Sequence, residues 1–131
     1  MNRTEYWHQM IANRNVAALD DLLAENSVFH SPVVHKPQQG KAMVQRYLSA
    51  AFMVLLNDSF KYVREVQSGN HTILEFQLEL NGIQVNGVDM IQWDDAGKIT
   101  DFKVMVRPLK GMQQVQLEMA KMLERFAAQT S

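Results

Sequence analysis

Along this chain the apolar positions recur every three or four residues before Asn57, every second residue from Phe60 to Val106, and every three or four again after Pro108. The first and last spacings are those of helices that bury one face, and the middle one is that of half-buried strands. Thr4 opens a helical stretch in which Trp7, Met10 and Ile11 share a face, and Asn13-Arg14-Asn15 interrupts it. A second helical piece carries Leu19, Leu22 and Leu23 and ends near Asn26. Ser27–Ser31 then predicts a short strand, stopped by Pro32 and Pro37, because proline holds the residue before it out of helical space. After Gly40 comes the strongest helical stripe, Val44, Tyr47, Leu48, Ala51, Phe52 and Leu55, with Lys41, Gln45, Arg46 and Ser49 opposite.

The alternating half predicts four strands. Residues 60–67 form the first, and Ser68-Gly69-Asn70 turns the chain. Leu74, Phe76, Leu78 and Leu80 then alternate with Ile73, Glu75, Gln77 and Glu79. Asn81-Gly82 marks a tight hairpin, since both residues tolerate the positive φ of a type I′ turn. A third strand over 83–93 turns at Asp94-Asp95-Ala96-Gly97 into a fourth over about 98–106. Gly87, inside the third strand, marks either a bulge or a close backbone approach. Leu109, Met112, Val115, Met119, Met122 and Phe126 make a final amphipathic helix.

Helices segregated from an antiparallel meander mean an α+β fold. The sheet must bend around the long helix, which gives a cone with an open mouth. At 131 residues, with no linker, repeat or low-complexity tract, the whole span 1–131 reads as one domain. A net charge of -1 with scattered basic residues gives no footprint for nucleic acid or an anionic membrane. The absence of cysteine removes thiolate chemistry, and the lack of a signal-like or membrane-spanning stretch points to the cytoplasm. The four histidines, His8, His30, His35 and His71, show no metal-ligand spacing, so neither a metal nor another cofactor is expected.

One polar position stands out. Asp89 lies between Val88 and Met90 in an apolar strand. Facing inward it would be desolvated and held protonated, which suits a proton donor or acid/base; facing outward it would be an ordinary surface carboxylate. Trp7, Phe52, Phe76 and Trp93 are core residues first, and candidates to line a pocket. Arg107 either binds a ligand carboxylate or takes a dimer or surface role, and His30 and Ser31, adjacent in a strand, should not both point inward.

The segment Val88-Asp89-Met90-Ile91-Gln92-Trp93-Asp94-Asp95-Ala96-Gly97-Lys98-Ile99 resembles the strand–turn–strand of SnoaL-like polyketide cyclases and of ketosteroid isomerase, within the nuclear transport factor 2-like superfamily. Ser31-Pro32-Val33-Val34-His35-Lys36-Pro37-Gln38-Gln39-Gly40 resembles the loop after their first short strand, and Val104–Leu109 is similar to a further branch of SnoaL-like proteins. The resemblance implies a curved antiparallel sheet wrapped on a long helix, with a C-terminal helix, and places Asp89 inside. It matches Asp89 to the isomerase's oxyanion-hole aspartic acid, but Ser31 stands where its general base would be and Trp7 where its tyrosine would be. A serine without a base beside it cannot take a C–H proton near neutral pH, and an indole N–H donates without shuttling a proton. The Asp-Arg-Asp set of the related epoxide hydrolases is also broken, with Gly87 at the arginine position and Arg107 near the second aspartate. The SnoaL-like cyclases, which ask for one acid/base Asp in an apolar pocket, fit best.

Three functions stay open on this reading. One is a cofactor-independent enzyme of isomerase/cyclase or hydrolase type, with Asp89 as acid/base and Trp7, Ser31 and His35 positioning an apolar, oxygen-bearing substrate. The second is a non-catalytic module that binds such a ligand, and the third is a purely structural dimer with a filled cone. Relatives of this fold pair sheet to sheet, so a homodimer through the outer face, with Ile73, Lys103 and Met105 in contact, is expected.

Overall fold

A computed structural model describes residues 2–130, with side chains to Ala128. Helix α1 spans Arg3–Ala12 and is capped by Asn2, whose side chain accepts from the Glu5 N–H. The sequence had suggested Thr4 as the opening residue. Thr4 instead lies buried inside the first turn, where its hydroxyl meets that of Thr72 at 2.9 Å.

A single 3-10 turn (Val16–Ala18) leads into a one-turn helix α2, Leu19–Leu22, and strand β1 starts at once with Leu23–His30. The helical spacing of Leu19, Leu22 and Leu23 had predicted a helix reaching Asn26, with the strand only from Ser27. Leu23 instead pairs with Ile99 of the last strand, and both side chains are buried. A local period has yielded here to a long-range ladder. Three surplus residues between Leu23 and Val28 are taken up as an irregularity before the parallel pairing resumes at Val28–Asp101.

After the two-residue strand β2, Gln38–Gln39, helix α3 runs Lys41–Leu55. Strands β3 (Lys61–Ser68), β4 (His71–Leu80), β5 (Ile83–Trp93) and β6 (Ile99–Arg107) form the expected meander, and helix α4, Leu109–Thr130, follows. The six strands make one curved, unclosed sheet in the order β2-β1-β6-β5-β4-β3. The meander is antiparallel throughout, and β1 joins β6 in parallel.

The turns obey local chemistry. Asn81 and Gly82 have φ of 53° and 81°, the left-handed values a type I′ hairpin needs. Asp94 Oδ1 accepts from the N–H groups of Ala96 and Lys98, both at 2.9 Å, and so closes the β5–β6 turn.

Inner-face residues Leu74, Phe76, Leu78 and Leu80 of β4, with Val85, Ile91 and Trp93 of β5, pack beneath the helices. Val44, Leu48 and Leu55 of α3 meet them, and Val115 and Met119 anchor α4. Leu109, assigned to the α4 stripe by its spacing, is 65% exposed and outside the core. At Gly87 the β4 and β5 registers run unbroken, so it is not a bulge. A Cβ there would collide with the Phe76 ring and sit 2.8 Å from the Met105 carbonyl oxygen, so Gly87 marks a close approach.

Candidate functional site

Burial alternates along β5 at Val85, Gly87, Asp89, Ile91 and Trp93. Period-two geometry therefore carries Asp89 to the inner face, and only 8% of its surface stays exposed. Its neighbours across the ladders are Leu74 and Val104, both buried and apolar. A charged carboxylate has little solvation there, and burial pushes the Asp89 pKa up to about 8. At neutral pH the group is a neutral acid that can donate a hydrogen bond.

Its polar companion is Tyr62, on β3. Tyr62 pairs with Phe76 in the β3–β4 ladder and so shares the inner face. The Tyr62 hydroxyl interacts with the Asp89 carboxyl and partly offsets the cost of ionising it. Burial first, and the Asp89 charge second, hold the Tyr62 phenol well above its ordinary range. Trp7, fully buried on α1, donates its indole N–H to the Tyr62 oxygen at 3.0 Å. With one lone pair so occupied, the Tyr62 O–H is free to point at Asp89 or at a bound oxygen. Trp7 thus supports the site through Tyr62, and β3 supplies a hydroxyl to Asp89.

The space beside the pair is a cavity of about 30 Å³. Ile11, Leu48, Phe52, Leu55, Phe60 and Phe102 are among its walls, and Tyr62 and Asp89 are the only polar side chains lining it among the described residues. That is room for about one water molecule, well under the few hundred Å³ of a typical ligand site. Edge and tilted ring contacts of Trp7 with Phe52 and Phe102, at 5.7 and 5.3 Å, fill much of the cone.

The residues singled out from the sequence are therefore divided. Asp89, Phe52 and Phe76 line the cavity, and Trp7 stands behind Tyr62. Trp93 lies four residues along β5 from Asp89, roughly 13 Å away. There its indole donates to Thr72 Oγ1 at 3.0 Å, and the Arg3 guanidinium lies 5.8 Å over its ring. Ser31 and His35 are not among the cavity's walls; they line a separate groove at the β6 edge with His30 and Lys103. Ser31 Oγ accepts from the Val33 N–H, and His30 Nε2 bonds Asp101 at 2.9 Å on the outside of the sheet. Arg107 reaches Asn86 on the outer face. Tyr62 was missed because the sequence reading did not divide the first meander strand into faces. The alternation of Phe60 and Tyr62 was the available signal, and the irregularity after Tyr62 blurs it by turning Arg64 outward opposite Glu75. No cluster of metal-ligating side chains occurs among the described residues, and no helix among them is long and apolar enough to cross a membrane.

A curved, unclosed sheet wrapped on a long helix, with a C-terminal helix and an acid on its inner face, defines a cone-shaped α+β domain of the nuclear transport factor 2-like type. Within that class the chain belongs to the SnoaL-like domain family, whose sequence profile matches residues 4–102. A solved structure described as a steroid Δ-isomerase from Pseudomonas aeruginosa is 38% identical, covering 96% of this chain and 92% of that one, with a TM-score of 0.91. A cystatin-like bacterial protein from Silicibacter pomeroyi is 29% identical over 86% of this chain and 79% of its own, with a TM-score of 0.78. A putative SnoaL-like polyketide cyclase from Jannaschia, 10% identical over 86% of this chain and 90% of its own, shares the fold with a TM-score of 0.68. Among curated proteins the sequence finds no match.

Proposed function

We propose that the chain binds a small apolar molecule through a carbonyl-type oxygen, with neutral Asp89 and Tyr62 as its two hydrogen-bond donors and Asp89 as the acid/base of an isomerase- or cyclase-type reaction. The observation that carries this reading is the Asp89 carboxyl, buried among apolar side chains and protonated up to about pH 8. Two donors in a low-dielectric cavity favour an oxygen on which negative charge develops, because fixed dipoles there need no reorganisation. The likeness to the protein described as a steroid Δ-isomerase supports the same class of ligand. A ligand of more than a few atoms must displace side chains such as Phe52 or Phe60, so binding is coupled to a shift of α3 or of the segment that precedes β3.

Ligand binding without turnover is the second reading, and the lining favours it at one point. Moving a proton between two atoms of a substrate usually takes an acid and a base, and beyond Asp89 and Tyr62 the walls carry no titratable group among the described residues. Titration with 2-naphthol, whose fluorescence separates phenol from phenolate, tests the site itself. Saturable binding that weakens at least tenfold in Asp89→Leu is expected; equal binding by both proteins overturns the site. Incubation with a β,γ-unsaturated ketosteroid, followed by the absorbance of the conjugated enone, then separates enzyme from binding module. Asp89-dependent turnover supports the first reading, and binding without turnover the second.

We further propose that the functional unit is a homodimer paired through the outer sheet face. Val66 and Met105 there are 59% and 53% exposed, beside Ile73 and Val88. The Arg64–Glu75 ion pair on the same face offers both signs of charge to a copy related by a two-fold axis.

A further inference from the structure

Strand β1 stops at His30, opposite Lys103, and the loop from Ser31 to Pro37 swings off the sheet. From Val104 onward β6 has no strand neighbour on that side among the described residues. The gap between loop and strand is a groove of about 460 Å³, separate from the Asp89 cavity and far larger than it. Among the described residues Val104 lines both.

The chemistry of the groove is one-sided. Its polar side chains are His30, Ser31, His35 and Lys103, and no carboxylate lines it among the described residues. Asp101, the nearest acid in the ladder, is held by His30 at 2.9 Å. Lys103 is half-buried and forms no ion pair among the described residues. Ser31 Oγ already accepts from the Val33 N–H at 3.1 Å, so its own proton is left to donate. Pro32, Val34, Pro37 and Met105 make the remaining walls apolar. A half-buried cation and a hydroxyl donor in one groove, against apolar walls and with no carboxylate among its described lining residues, favour one negative charge attached to an apolar body.

We infer that this groove is a binding site for a small organic monocarboxylate, its carboxylate on the Lys103 ammonium and the Ser31 hydroxyl and its apolar part against Pro32, Val34 and Pro37. The site is independent of the Asp89 cavity.

Titration of the isotope-labelled protein with phenylacetate, followed by backbone amide NMR, tests this. Saturable shifts confined to the Ser31–Pro37 loop and residues 103–106 are expected. Lys103→Met and Lys103→Gln should each weaken binding at least tenfold while keeping the wild-type spectrum elsewhere, and uncharged phenylacetamide should bind at least tenfold more weakly than the acid. The Gln variant keeps a polar tip, so agreement between the two separates loss of charge from a packing fault. Unchanged affinity in both variants, equal affinity for the amide, or shifts centred on Tyr62 and Asp89 would overturn the assignment.

Discussion

Asp89→Asn replaces the buried acid with a side chain of nearly equal shape that cannot titrate. The ordinary carboxyl value of 3.8 holds in the unfolded chain, and the folded value is about 8. Between those limits the folded protein keeps a proton that the unfolded chain has released. Stability is therefore greatest on the acid side and is lost as the pH rises toward 8, at roughly 1.4 kcal/mol per pH unit. From pH 5 to pH 7 the wild type should thus lose about 3 kcal/mol relative to the variant, a large share of a small domain's stability. Above pH 8 the difference should level off. Glu65 and Glu75, lowered by His8 and Arg64, act in the opposite sense, but they are common to both proteins and vanish from the difference. Urea unfolding of the two proteins at half-unit steps from pH 5 to 9 supplies the difference curve. A flat curve, constant to within about 0.5 kcal/mol, would mean that Asp89 is solvated or already ionised, and the account of the site would fail.

Two other expectations test the frame around the site. Gly87→Ala would drive a methyl into the Phe76 ring and against the Met105 carbonyl, and the backbone oxygen cannot swing aside as a ring can. A loss of about 2 kcal/mol or more in urea unfolding is expected, and a loss below about 0.5 kcal/mol would refute the close approach. For the sheet-paired dimer, light scattering at micromolar concentration should give twice the 15.0 kDa chain mass, and Met105→Glu should return it to one; a monomer in the wild type ends that proposal.

Much of the sheet was legible in the sequence because its rules are local. The alternation from Thr72 to Leu80 assigns the two faces of β4, and Asn81-Gly82 and Asp94–Gly97 close their turns with their own atoms. The same alternation, with the family-like string around it, aims Asp89 inward. For the site, that was enough to find the acid and two of its apolar neighbours, Phe52 and Phe76.

What the sequence could not decide are contacts between distant segments. Leu23 is a strand residue only because Ile99 lies beside it, and that pairing overrules a helical spacing with no cap to defend it. Ser31 and His35 stand next to a short strand in a family-like loop, yet the end of β1 at His30 sends them to an outer groove. Tyr62 and Trp7 are 55 residues apart and meet only when α1 packs across the sheet. The size of the cavity was equally out of reach, because the space left inside a cone is a small difference between the volume enclosed and the side chains that fill it. Periodicity fixed which residues face inward, and tertiary packing alone decided which of them meet and how much room they leave.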